Sequence, residues 1–340
     1  MRAFTITGPG EASVQDVPDP VVAPGHVVVQ VLRAGLCGTD VELFTGSMPY
    51  LHDGSTTYPV RIGHEWSGRV LDVGPGVDGG WRGALVTGDT MIGCGRCDRC
   101  RRGHHHVCAD RLELGIRDGL PGALAERASI PGQALRRLPE GVDPEAGALV
   151  EPAGSALRAV RAADPSPGDR VCVWGSGTLG LLALQFALDR GAIVDVVGVQ
   201  PEQLDLARDL GAGGTFEPDE VPDDYRAVID LSTAREAPAR AVEVVEPGGR
   251  VVLVGIADEP SLVDTRRVVL RDLSVIGILA ASAGLDGAIE LFAAGRIRTE
   301  PLISEVVGLE DVAGVLAGTR PRVPNRPAPK TLVDPGRAPR

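Results

Sequence analysis

Residues 171–180 read Val171-Cys172-Val173-Trp174-Gly175-Ser176-Gly177-Thr178-Leu179-Gly180, a short apolar run that breaks into a Gly-x-Gly-x-x-Gly turn. The stretch that follows, through Asp189, is apolar with helical spacing. Three glycines in this pattern are common by chance, but a strand before them and a helix after them give the pattern a chemical meaning. Gly175, Gly177 and Gly180 let backbone come close to a pyrophosphate, and the helix start at Thr178 and Leu179 offers free N–H groups to its oxygens. The segment therefore reads as the phosphate-binding turn of a dinucleotide site.

Downstream, β-branched runs recur at 193–199, 227–231, 251–254 and 273–277, with helical patterns between several of them. One helix is well marked: Pro201 suits a first helical position, Leu204, Ala207 and Leu210 recur at a spacing of three, and Gly211 is a stop. Such alternation predicts an α/β unit, a parallel sheet covered by helices, over residues 153–284. Residues 1–152 differ in texture. Short strands such as 27–31 and 68–73 are broken by Gly and Pro turns, which predicts a mostly β domain. A helix at 285–294 and a Pro-rich tail ending in 330–334 are too small to fold alone, so residues 285–340 are expected to complete the first domain.

The 340 residues suit two domains, and 45 glycines with 27 prolines stay short of a low-complexity composition. A formal charge of −12 repels phosphate backbones and anionic lipid, which disfavours nucleic acid and membrane surfaces as partners. Arg96, Arg99, Arg101 and Arg102 make one loop locally basic, but no stacking aromatics interleave with them. No apolar run reaches the roughly 18 residues of a membrane helix, and the first fifteen residues lack the order of a signal peptide. A soluble, cytoplasmic protein acting on a small molecule is expected. In a reducing compartment its six cysteines are better read as metal ligands, catalytic groups or core filler than as disulfides.

Four of them, Cys94, Cys97, Cys100 and Cys108, fall within fifteen residues. Four thiolates at this spacing can close a tetrahedron around zinc, leaving no open position and so a structural role. An iron–sulfur cluster fits less well, since the last gap is seven residues and Ala109 follows where the bacterial cluster run has Pro. His104, His105 and His106 lie inside the loop and are expected on a solvated turn. A second set is scattered: Cys37 in Gly35-Leu36-Cys37-Gly38-Thr39-Asp40, then His64-Glu65, then Glu151-Pro152. Together they offer thiolate, imidazole and carboxylate, the ligand types of a catalytic zinc with one position left for water or substrate.

These motifs, in this order and across nearly the whole chain, resemble the zinc-dependent medium-chain alcohol dehydrogenases. The likeness is to their polyol, sugar and threonine dehydrogenase branch, with Gly63-His64-Glu65-Trp66-Ser67-Gly68 similar to the aminocyclitol dehydrogenases. The resemblance implies a GroES-like catalytic domain and a Rossmann domain with a doubly wound sheet. It implies Cys37 and His64 as catalytic zinc ligands, with Glu65 or Glu151 as the carboxylate, and Cys94, Cys97, Cys100 and Cys108 around a second zinc. Thr39 matches the hydroxyl that touches the substrate oxygen. The proton relay is expected to end at Glu42, at His52 or in water, because Glu42 stands where the family often has a histidine.

The cofactor implied is NAD(P). About twenty residues after the fingerprint, where an acid normally takes the adenosine ribose, the strand ends in Gly198-Val199-Gln200, and Asp195 is three residues early. Loss of that acid removes the repulsion of a 2′-phosphate, so use of both cofactors with a slight lean to NADP is expected, with Gln200 and backbone N–H groups holding the phosphate unless Arg208 or Arg235 folds into reach. The expected reaction is hydride transfer between a secondary alcohol, of polyol, sugar or cyclitol type, and the nicotinamide. The rivals are an NADPH-dependent carbonyl reductase and an inactive dinucleotide-binding zinc protein. A homodimer or homotetramer is expected. Trp66 and residues 47–58 are candidates for the substrate pocket.

Overall fold

Strand and helix alternate from residue 170 onward, and the strands pair as that alternation requires. In this computed structural model, which describes residues 1–320 and 328–338, six parallel strands form one sheet. Their spatial order is Gly214–Phe216, Ile193–Val197, Arg170–Trp174, Tyr225–Asp230, Val245–Leu253, Ser274–Gly277. This is the doubly wound order, which reverses direction beside Arg170–Trp174, so the carboxyl end of that strand is the switch point where such sheets bind ligands. Val171, Val173, Val194, Val196 and Val228 are fully buried, as strands covered on both faces must be. The strand Gly214–Phe216 has no counterpart in the sequence reading: three residues, opened by glycine, show no alternation. The marked helix runs Pro201–Asp209 with Pro201 in its first turn, and Gly211 stops it at φ +105°.

The chain divides into two compact units, Met1–Glu151 with most of the residues after Ile303, and Pro152–Leu302. In the first, the strand His26–Gly35 is the spine. It pairs antiparallel with Glu65–Val73, with Arg127–Pro131 and, at its end, with Lys330–Val333. Leu332 lies opposite Gly35, so the tail does return to the first domain. The helix Leu285–Ala293 does not: it belongs to the second unit. The reason is packing, since Gly284 and Gly287 sit tightly against Gly154, Leu157 and Arg161 of the helix Val150–Ala163. Among the described residues no helix is long and apolar enough to cross a membrane.

Candidate active site and metal centres

Pairing of His26–Gly35 with Glu65–Val73 puts Gly35 opposite Glu65, which brings the residues just beyond each strand together. Cys37 caps the helix Gly38–Thr45, its N–H donating to the Asp40 carboxylate at 2.9 Å. One donor atom each from Cys37, His64 and Glu65 lie within 4.8 Å of one another. His64 and Glu65 are buried, and Gly35 leaves the space in which the Glu65 carboxylate lies. Asp40 is wholly buried, with Oδ1 3.6 Å from His64 Nδ1, and neither atom has a hydrogen-bond partner among the described residues. Burial works against the His64 imidazolium, but Asp40 and Cys37 outweigh it and raise its pKa well above the ordinary value. A thiol, an imidazole and a carboxylate converging in a buried place, with orphaned polar atoms among them, fit a zinc ion that keeps one position open.

The structure adds a residue that the sequence reading passed over. Lys330 is buried, and its ammonium donates to Glu65 Oε2 at 2.6 Å and to the Leu36 carbonyl at 2.8 Å. Burial opposes its charge, while Glu65, Cys37 and Asp40 raise its pKa. A signal was present: Lys330 is the one lysine in a chain whose other 33 cationic side chains are arginine. A compact ammonium suits this site better than a planar guanidinium would. Glu151, in the first turn of Val150–Ala163, stands outside the close set but feels it. Loss of water pushes its carboxyl up to about 7, His64 and Lys330 opposing and Glu65 and Asp89 adding to the rise. Thr39 and Glu42 are partly buried on the Cys37-capped helix, whereas His52 is exposed at the end of Pro49–His52. Trp66 is fully buried against Gly88, a core residue rather than a pocket wall.

The cysteine loop closes on itself. Donor sulfurs of Cys94, Cys97, Cys100 and Cys108 lie within 4.8 Å of one another, with Cys94–Cys100 at 4.0 Å and Cys97–Cys108 at 3.7 Å. Backbone N–H groups of Arg96 and Cys97 draw the Cys94 thiol down to about 6, while burial pushes Cys100 up to about 12. Four sulfurs at tetrahedral spacing fit a closed zinc site. Only His104 keeps the solvated place expected of the three histidines: His105 Nε2 meets the buried Asp89 carboxylate at 2.7 Å, and His106 is buried.

At the switch point Gly175 turns at φ +114° and donates to the Val197 carbonyl at 2.8 Å. A Cβ on Gly180 would lie 1.7 Å from the Gly175 carbonyl, so this contact excludes any side chain, whereas a Cβ on Gly177 would meet nothing within 4 Å. Gly177 caps the helix Thr178–Asp189, and the open side of that cap fits a pyrophosphate. At the ribose end Gly198 follows the strand Ile193–Val197, Val199 is 75% exposed, and Gln200 caps the next helix. Asp195 is spoken for, accepting from Tyr225 Oη at 2.9 Å and Arg170 at 3.1 Å. Arg208 pairs with Asp205 and Arg235 with Glu259.

Comparison with known proteins finds one family over nearly the whole chain. The alcohol dehydrogenase GroES-like domain model matches residues 23–140 and the zinc-binding dehydrogenase model residues 178–294. A probable D-xylulose reductase A of Arthroderma otae is 31% identical over 329 residues, 91% of each chain. An L-threonine 3-dehydrogenase of Pyrococcus horikoshii is 31% identical over 89% of this chain and 90% of its own. A zinc-binding dehydrogenase of Sinorhizobium meliloti 1021, solved bound to NADP, is 29% identical with a TM-score of 0.89, covering 98% of this chain and 99% of that one. The GroES-like and Rossmann folds, the oxidoreductase class and the assembled donor sets thus converge: this chain belongs to the zinc-dependent medium-chain alcohol dehydrogenases, within their polyol, sugar and threonine dehydrogenase branch.

Proposed function

We propose that this dehydrogenase oxidises a secondary alcohol of polyol, sugar or cyclitol type to its ketone, holding two zinc ions per chain and using both nicotinamides with a modest preference for NADP. The observation that carries the reading is the convergence of half-buried Cys37 with buried His64 and Glu65, with Thr39 two residues beyond Cys37. Bound there, zinc supplies a Lewis acid for the substrate oxygen, and the nicotinamide supplies the hydride acceptor. The Thr39 hydroxyl takes the substrate's proton and releases it toward Glu42, His52 or water. Lys330 holds Glu65 in place and balances its charge; Asp40 accepts from the Cys37 N–H and sets its negative charge beside the His64 ring. Glu151 keeps a second carboxyl within electrostatic reach of the set. Gly175, Gly177, Thr178, Leu179 and Gly180 hold the pyrophosphate, and Gly198 and Gln200 form the ribose end.

The polyol reading is supported by relatives named as a xylulose reductase and a sorbitol dehydrogenase and by a solved galactitol-1-phosphate dehydrogenase that is 25% identical. One structural neighbour was solved with NADP and another with NADH, so the cofactor lean rests on Gly198. A screen of polyols, cyclitols, sugars and threonine against both nicotinamides, read by absorbance in both directions, tests the proposal. Turnover of threonine alone, or of no alcohol, overturns the substrate class. A homodimer or homotetramer completes the proposal, supported by the free sheet edge Ser274–Gly277 and the exposed Leu262, Val269 and Leu270, since a free edge is a template for a second strand.

A further inference from the structure

The first unit holds a cavity of about 760 Å³ whose walls include Gly54, Ser55, Thr56 and Thr57, from the stretch 47–58 expected to border the substrate, but not Cys37, Thr39, His64, Glu65 or Glu151. Three guanidinium groups, Arg61, Arg117 and Arg127, line it against two carboxylates, Asp19 and Asp118. Both acids are engaged: Asp19 pairs with Arg127, and Asp118 lies 3.3 Å from Arg117 Nε. Arg61 is left over. It is partly buried, and among the described residues it has no ion pair and no side-chain hydrogen bond. Burial holds its guanidinium below the usual arginine range, and nothing nearby opposes that.

Two further polar groups on the same wall want partners. Thr5 is 4% exposed, and among the described residues its Oγ1 has no hydrogen-bond partner and the buried Arg117 Nε has none of acceptable geometry. Buried polar atoms in folded proteins are almost always satisfied, and a guanidinium without an acid and a hydroxyl without a partner, on segments joined by the antiparallel bridge of Ile6 with Val60, are the donor set of an oxyanion site. The excess of positive charge is local, in a chain whose formal charge is −12. The volume lies within the range of small-molecule pockets.

We propose that this cavity binds a small organic anion, a phosphate or a carboxylate, through Arg61 and Thr5, away from the Cys37, His64 and Glu65 set. The ligand places its oxyanion against the Arg61 guanidinium and accepts from the Thr5 hydroxyl, and the rest of it fills the space toward Arg117.

The test is calorimetric titration of the zinc-loaded protein, saturated with NAD or with NADP so that the dinucleotide site is filled. Inorganic phosphate is the probe in one arm and succinate in the other, and the tighter arm identifies the oxyanion. We expect saturable binding at one site per chain, weakened about tenfold or more in Arg61→Gln and several-fold in Thr5→Val, with turnover retained in both variants. Thr5→Val removes only a hydroxyl without a partner, so it reports even if Arg61→Gln fails to fold. The proposal is overturned if neither anion binds saturably, if both variants bind as wild type does, or if the anion competes with the alcohol and binding is lost in Cys37→Ser, which would put it at the metal set.

Discussion

The two metal sets are built in opposite ways. Cys94, Cys97, Cys100 and Cys108 come from one loop of fifteen residues, held by short helical turns at Asp98–Arg101 and His105–Val107 and by the contact of His105 with Asp89. Cys37, His64, Glu65 and Lys330 come from three distant stretches, brought together by the pairing of His26–Gly35 with Glu65–Val73 and Lys330–Val333. The loop is short and built around its four thiols, so a metal bound there would be part of what folds it. The scattered set rests on a sheet that exists without it. A lost ligand should therefore cost structure in the first set and chemistry in the second.

Cys37→Ser against Cys100→Ser is the most forceful test of that contrast. Cys37→Ser is expected to lose activity well beyond the roughly 10–100-fold that loss of an outer partner costs, while keeping its melting temperature and one zinc per chain. Cys100→Ser should lose the other zinc and melt at lower temperature, its residual activity tracking the folded fraction. Metal analysis with thermal denaturation reads both. Equal loss of stability in the two variants would break the comparison.

A second test sharpens the scattered set from within. Glu65→Ala should cut turnover more than Glu151→Ala, because Glu65 lies inside the close donor set and Glu151 outside it. Lys330→Met strands a buried carboxylate, which costs about 3–5 kcal/mol when one partner of a buried pair is removed. The Lys330→Met, Glu65→Gln double variant should recover most of that stability, since no charge is left unpaired, without recovering activity. If the double variant is no more stable than Lys330→Met, the pair does not carry the loss.

What could be read from the sequence follows the same division. The four-cysteine loop and the glycine fingerprint are contiguous, so spacing alone carries their geometry. The helix Pro201–Asp209 was legible for a similar reason, since its first-turn proline, its buried Leu204 and Ala207 and its stop at Gly211 are local signals. Lys330 was not legible as a partner of Glu65, because only the register of the last strand, Leu332 opposite Gly35, creates that contact. The helix Leu285–Ala293 was assigned to the wrong unit since its neighbours lie some 130 residues earlier on Val150–Ala163, and periodicity reports a buried face without saying against what.

The smallest expected effect carries the contrast into the dinucleotide unit, where the phosphate turn is contiguous and the ribose end depends on where a strand stops. Replacing Gly198 by Asp looks like the direct way to restore a ribose acceptor. The structure argues against it, because a Cβ there would come within 2.3 Å of Ser176 Oγ and 2.7 Å of Ser176 Cβ, beside the fingerprint itself. That substitution would disturb the pyrophosphate turn and the ribose end together. Val199 is the cleaner probe, being 75% exposed and next in the chain. Val199→Arg adds a cation where a 2′-phosphate would lie, and a charged hydrogen bond of this kind, partly screened by solvent, is worth roughly tenfold in affinity. The ratio of kcat/KM for NADP over NAD should rise by about that factor with kcat nearly unchanged. If the ratio does not move, the adenosine end lies away from this turn, and the cofactor lean drawn from Gly198 falls with it.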